Sequence, residues 1–114
     1  MTYEEAIAFA LTLPGTELGT TYGQPAVKVA ANGRAFLFPS HEPDTSFGVR
    51  MDLDSIELLK ETDPDTFWQT AHYVGWEGVL IRFDSSDAPR VREVIARARD
   101  FAAAKAPARP RKRK

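Results

Sequence analysis

The chain has 114 residues, 43% hydrophobic and 27% charged, the size and make-up of one soluble globular domain with a core of its own. It contains no cysteine, which excludes disulfides, thiolate metal sites and cysteine nucleophiles, and no apolar run approaches the roughly 18 residues of a membrane span. The net charge of −1 is unevenly divided: six basic and no acidic residues lie from Lys105 to Lys114, leaving nine Lys and Arg against sixteen Asp and Glu in residues 1–104. A uniformly basic nucleic-acid-binding body is therefore excluded.

Thr2 and Glu5 have the spacing of a capping box, and Tyr3, Ala6, Ile7, Ala10 and Leu11 recur at helical spacing, which predicts a first helix ending near Leu13 before Pro14-Gly15. This start lacks the basic-then-apolar layout of a signal peptide, so a cytoplasmic location is expected. Residues 16–25, with Gly19, Gly23 and Pro25, read as an ordered loop.

Asn32-Gly33 between two apolar runs is the strongest short-range signal for a two-residue type I′ hairpin, predicting strands near 26–31 and 34–39. That turn pairs Val29 with Phe36 and Val27 with Phe38 on the core side, and Lys28 with Leu37 on the other. Residues 39–45 lead into a third strand, 46–51, with Phe47, Val49 and Met51 alternating inward. Asp54 with Glu57 predicts a second helix through about Glu61, closed by Asp63-Pro64. Pro64 opens a short helical turn that carries Phe67 and Trp68 as core. Thr70–Tyr73 reads as a brief strand, and Val79, Ile81 and Phe83 as the inner face of a last one. Asp87 caps a closing helix whose stripe is Val91, Val94, Ile95, Ala98, Phe101 and Ala102.

This order predicts a single α+β domain, residues 1–104, with an antiparallel sheet buried on one face by helices, followed by a disordered basic tail, residues 105–114. Parity assigns Lys28, Leu37, Arg50, Leu80 and Arg82 to the other, open face, joined by Trp76 if the last strand starts early.

The order and spacing of several short motifs resemble the MmcQ/YjbR-like family of small bacterial proteins. They are Leu13-Pro14-Gly15-Thr16-Glu17, Tyr22-Gly23-Gln24-Pro25, Lys28-Val29, Gly33-Arg34-Ala35-Phe36, Asp63-Pro64, His72-Tyr73, Gly75-Trp76 and the strand ending at Arg82. The resemblance spans roughly residues 3–103. It implies a frataxin-like fold with a five-stranded antiparallel sheet, helices on one side, and a DNA-binding label attached to a double-wing arrangement. It carries over no catalytic residue.

Lys28, Arg50 and Arg82 beside Trp76, with Tyr22 or His72 near, form an open face on which cations hold phosphates and an aromatic stacks a base. The same face suits an anionic small ligand or a partner protein. The plainer alternative is that a solvated face simply places Lys and Arg outward. The tail cations Arg109, Arg111, Lys112, Arg113 and Lys114 would contact phosphates without reading sequence. His41-Glu42-Pro43-Asp44 lacks the second histidine or cysteine of a metal motif and reads as a solvated loop. His72 has no nucleophile motif, phosphate loop or carboxylate partner at a useful spacing, and reads as half-buried beside Tyr73. The expectation is a non-catalytic binding module with no cofactor or metal. Its partner would be nucleic acid, held weakly and electrostatically, or alternatively a protein or anionic small ligand, and not a membrane.

Overall fold

Thr2 and Glu5 form the capping box reciprocally, Thr2 Oγ1 accepting from Glu5 N and Glu5 Oε1 from Thr2 N, and this opens α1 (Tyr3–Ala10). The computed structural model describes residues 1–107 and continues with β1 (Thr16–Thr21), β2 (Gln24–Val29), β3 (Ala35–Pro39) and β4 (Ser46–Arg50). Then come α2 (Leu53–Thr62), β5 (Phe67–Trp68), β6 (Gly78–Arg82) and α3 (Ala88–Ala103). The fold is α+β. Its six strands form one open antiparallel sheet in the order β1-β2-β3-β4-β6-β5. Among the described residues, no helix is long and apolar enough to cross a membrane.

All three helices pack on one face. Ala6 and Ala10 of α1, Ile56 and Leu59 of α2, and Val91, Val94, Ile95, Ala98 and Ala102 of α3 share a core with Val27, Val29, Phe36, Leu37, Phe47, Val49, Val79 and Ile81. Phe101 of the expected stripe is only half-buried, its ring lying 4.6 Å from Lys105 Nζ. Asp87 caps α3 as expected, accepting from Arg90 N at 3.1 Å. The cap of α2 is Asp52, not Asp54: its carboxylate accepts from Ser55 N at 3.0 Å, and the helix starts at Leu53.

The two hairpins exchange roles relative to the sequence expectation. The tight two-residue turn is Tyr22-Gly23, both with positive φ (+54° and +77°), and it converts the expected loop 16–25 into β1 and the start of β2. Asn32-Gly33 does lie in a turn, but one that spans residues 30–34. Its asparagine is diverted to long-range work: Asn32 Nδ2 donates to the carbonyl of Ala102 at 2.8 Å at the end of α3, while Asn32 Oδ1 accepts from Arg34 N.

The register changes with the turn. Val27 pairs with Leu37 and Lys28 with Ala35, so Phe36 is the extra residue of a β-bulge. Alternation breaks there, and Phe36 and Leu37 both enter the helix-side core. Leu37 is therefore not on the open face, and Phe38 is not under the helices. Phe38 is buried on the opposite face with Ala26, Tyr73 and Leu80.

The remaining differences lie between residues 64 and 77. Phe67 and Trp68 form β5 rather than a helical turn; Phe67 is core, whereas Trp68 lies half-buried on the far face and donates from Nε1 to Ser46 Oγ at 3.0 Å. Thr70–Tyr73 is a turn, with Tyr73 N bonded to Thr70 O, and not a strand. The extra strand β1 makes the sheet six-stranded rather than five-stranded.

After α3 the chain remains against the body. Arg34 Nε donates to Ala106 O at 2.8 Å and Lys105 Nζ to Glu77 Oε1 at 2.9 Å, so residues 105–107 are docked rather than free. The expected cations Arg109, Arg111, Lys112, Arg113 and Lys114 lie outside the described residues.

Candidate functional site

The face away from the helices is not a bare sheet. Glycines at outward positions on neighbouring strands, Gly48 on β4 and Gly78 on β6, leave space that larger side chains fill. A Cβ on Gly48 would collide with the Phe38 ring, and one on Gly78 with the Trp76 ring. The segment from Gln69 to Glu77 folds over this face. Gln69 Nε2 donates to Gly78 O at 2.7 Å and to Tyr73 O at 3.2 Å, which ties both ends of the turn together. Lys60 Nζ in turn bonds Gln69 Oε1 at 2.9 Å, and Gly75 supplies the positive φ of +88° the turn needs.

The result is a row of rings. Phe38 and Trp76 have centroids 5.7 Å apart, Trp76 and Tyr73 5.0 Å in an edge-on arrangement, and Tyr73 and His41 4.6 Å. His72 lies 5.5 Å from His41, whose Nε2 is hydrogen-bonded to Thr70 Oγ1 at 2.8 Å. Together with Thr21, Tyr22, Gln24, Ala35 and Arg50 these rings bound a cleft of about 790 Å³. That is within the usual range for a small-molecule site. Among the described residues, no carboxylate lines it and Arg50 is its one Lys or Arg.

Arg50 is held from two sides. Its Nε donates to Glu77 O at 3.0 Å, its Nη2 lies 3.6 Å from Glu77 Oε1, and its guanidinium carbon sits 5.3 Å from the Trp76 ring centroid. The rest of its donor fork makes no hydrogen bond among the described residues. Burial, followed by the nearby Arg34 charge, lowers the Arg50 pKa, while Glu77 opposes that fall. Glu77 is itself held below the usual carboxylate range, chiefly by the hydrogen bond from Lys105 and then by Arg50. Burial raises the Tyr73 phenol, and the neighbouring Tyr22 raises it further.

Of the four body residues expected to share a surface, only Arg50 and Trp76 meet in the cleft. Lys28 is on the same face of the sheet, but its stem lies over Gly19 at the β1 edge. Arg82 sits four residues along β6 from the Gly78 that pairs with Arg50, roughly 13 Å at the rise of a strand. There its guanidinium carbon stacks 4.4 Å from the Trp68 centroid, at a separate depression ringed by Asp63, Asp65, Asp84 and Asp87. Those carboxylates make that end unsuited to a phosphate. His72 is exposed, not half-buried; His41 lies in the exposed loop the sequence predicts and also lines the cleft wall.

Sequence reasoning missed Phe38, His41 and Tyr73 as cleft residues. A usable signal did exist. Gly48 and Gly78 each occupy an outward strand position beside inward Phe47, Val49 and Val79, and a glycine there marks a place where something lies close over the sheet. Comparison of the chain with protein-family models, with curated proteins and with solved structures finds no match in any of the three.

Proposed function

We propose that the protein is a non-catalytic binding module whose cleft accepts a flat, negatively charged small ligand. The observation that carries this reading is Arg50: among the described residues it is the one guanidinium lining an aromatic cleft that no carboxylate lines, and it is fixed by Glu77 and Trp76 with donors to spare. A planar group would stack along Trp76, Tyr73 and His72 while its acid accepts from Arg50, a charge-assisted contact of the stronger kind. A cytoplasmic location and the MmcQ/YjbR-like, frataxin-like assignment belong to the same proposal; the motifs that carry that resemblance include Gly75-Trp76 and Tyr22-Gly23-Gln24-Pro25, both at the cleft.

The test is a titration of isotopically labelled protein with AMP, indole-3-acetate and benzoate, following the indole N–H signals of the two tryptophans by NMR. Trp76 should move saturably while Trp68 stays, and binding should survive 0.3 M salt. Arg50→Gln should weaken the tightest of these by roughly 10-fold or more, as loss of one hydrogen bond to a charged group does. If none of the three moves Trp76 at millimolar concentration, the reading fails.

A second reading keeps nucleic acid as the ligand. It is supported by two observations: Arg34, next to the cleft residue Ala35, holds the carbonyl of Ala106, and the sequence beyond the described residues carries five cations in 109–114. Residues 1–107 carry ten Lys and Arg against sixteen Asp and Glu, so attraction to a polyanion would come from that tail. Five engaged cations give a slope of log affinity against log salt of roughly −4.5 on duplex DNA. Ending the chain at Pro107 should abolish that slope and leave binding of small ligands unchanged.

A further inference from the structure

Tyr22 is held in a backbone conformation that favours glycine, asparagine or aspartate. It is the first central residue of the β1–β2 turn, with φ +54°, where a bulky side chain is an outlier. Folding gains little from its ring in return: Tyr22 is 96% exposed, belongs to neither buried cluster and makes no hydrogen bond or ring contact among the described residues. Yet the turn places it on the wall of the aromatic cleft, near enough to Tyr73 for its phenol to raise that of Tyr73. The turn is also anchored. Tyr3 of α1 donates its hydroxyl to the carbonyl of Pro25, two residues beyond Gly23, so the hairpin end is tied to the body while the Tyr22 ring is left in solvent.

We infer that Tyr22 is a clamp for the cleft, closing its ring over a planar aromatic ligand that lies against Tyr73 and whose acid group reaches Arg50. The inference rests on the proposed function and narrows its ligand class to aromatic anions. Backbone strain kept at a position with no packing role accords with a contact made only when a ligand is present. A ring held at both faces divides the work of binding: stacking supplies affinity and Arg50 selects for charge. An aliphatic anion of equal charge would lack the stacking part and bind weakly.

The experiment compares wild-type protein with Tyr22→Asn and Tyr22→Phe, using an aromatic anion and its ring-free counterpart: AMP with inorganic phosphate, and indole-3-acetate with acetate. Asparagine suits a positive φ, so Tyr22→Asn should fold with an equal or higher thermal midpoint. It should bind AMP or indole-3-acetate roughly 5- to 150-fold more weakly, the range for loss of one aromatic stacking partner, and bind phosphate or acetate as wild type does. Tyr22→Phe should keep aromatic-anion affinity within about twofold, since the ring is retained. Unchanged aromatic-anion affinity in Tyr22→Asn overturns the clamp alone. Equal weakening toward the ring-free anions does so too, because it would mean a structural or electrostatic effect. Failure of wild-type protein to bind any of the aromatic anions overturns the binding-module reading, and the clamp with it.

Discussion

The ring of Phe38 on β3 occupies the space above Gly48 on β4, so closely that a Cβ on Gly48 would collide with it. The two are register partners, and the ring they accommodate is the inner end of the aromatic row that leads through Trp76 into the cleft. Gly48 is thus a packing residue of the cleft floor. Gly48→Ala should destabilise the protein by about 1–3 kcal/mol, the usual cost of overpacking, because Phe38 must leave its rotamer or push Trp76 outward. Denaturant unfolding measures the loss. A displaced Trp76 indole signal should accompany it, and an unperturbed Trp76 with full stability would refute the close packing.

Acid stability should depend on Asp52. The Ser55 amide hydrogen bond is the main cause that holds its carboxyl below the usual value. A depressed folded pKa means that the contribution is fully present above the unfolded value, about 3.9, and is lost as pH falls through the folded value. Asp52→Asn retains the capping oxygen and should flatten this acid limb with little change at pH 7. Asp52→Ala should cost about 0.5–2 kcal/mol at pH 7. Stability curves from pH 2 to 7 for the three proteins decide the matter.

Alkaline stability should depend on Tyr3. Burial pushes its phenol well above the usual value of 10.0, and its hydroxyl donates to Pro25 O. A raised folded pKa means that the neutral form is favoured by folding. Stability is therefore complete below pH 10 and declines as pH rises toward the folded value, at no more than about 1.4 kcal/mol per pH unit. Tyr73, also raised by burial, acts in the same direction. Tyr3→Phe should lose about 0.5–1.5 kcal/mol at pH 7 with the hydrogen bond, yet decline less steeply above pH 10. Parallel curves for wild type and variant would exclude Tyr3 as a source of that decline.

Asn32 should govern the end of α3. Its side chain donates to the carbonyls of Ala102 at 2.8 Å and Lys105 at 3.2 Å, spanning 70 and 73 residues of sequence. Asn32→Ala should cost about 1 kcal/mol and raise amide exchange over residues 102–107 selectively. Asn32→Asp keeps the acceptor for Arg34 N but places a charge against carbonyl oxygens, so it should be at least as disruptive. Uniform exchange in all three proteins would mean that Asn32 serves the turn alone.

The sequence by itself determined the helices, the antiparallel α+β class and most of the core. These follow from local chemistry: a capping oxygen three residues before the amide it accepts from, apolar residues at a period of 3.6 in Val91, Val94, Ile95 and Ala98, and alternation in Phe47, Val49, Val79 and Ile81. What alternation could not convey was the bulge at Phe36. One extra residue reverses every later side chain on β3, and nothing in the composition of residues 35–39 announces it. The turn exchange has a similar origin. Asn32-Gly33 has the better hairpin chemistry, but Asn32 is used by the end of α3, some 70 residues away, and no local pattern reports that demand. Tyr22, the poorer turn residue by propensity, takes the tight turn instead.

The cleft belongs wholly to the tertiary structure. Phe38, Tyr73, Trp76 and His41 come from β3, the loop before β4 and the turn before β6, and they meet only because Gly48 and Gly78 let rings lie close to the sheet. Residue types at these positions were visible, but which of them share a face depends on register, and register depends on packing. The same holds for charge. Arg50 and Arg82 are both outward cations by parity, yet one meets Trp76 and the other is set among Asp63, Asp65, Asp84 and Asp87, because opposite ends of one strand pair face different loops.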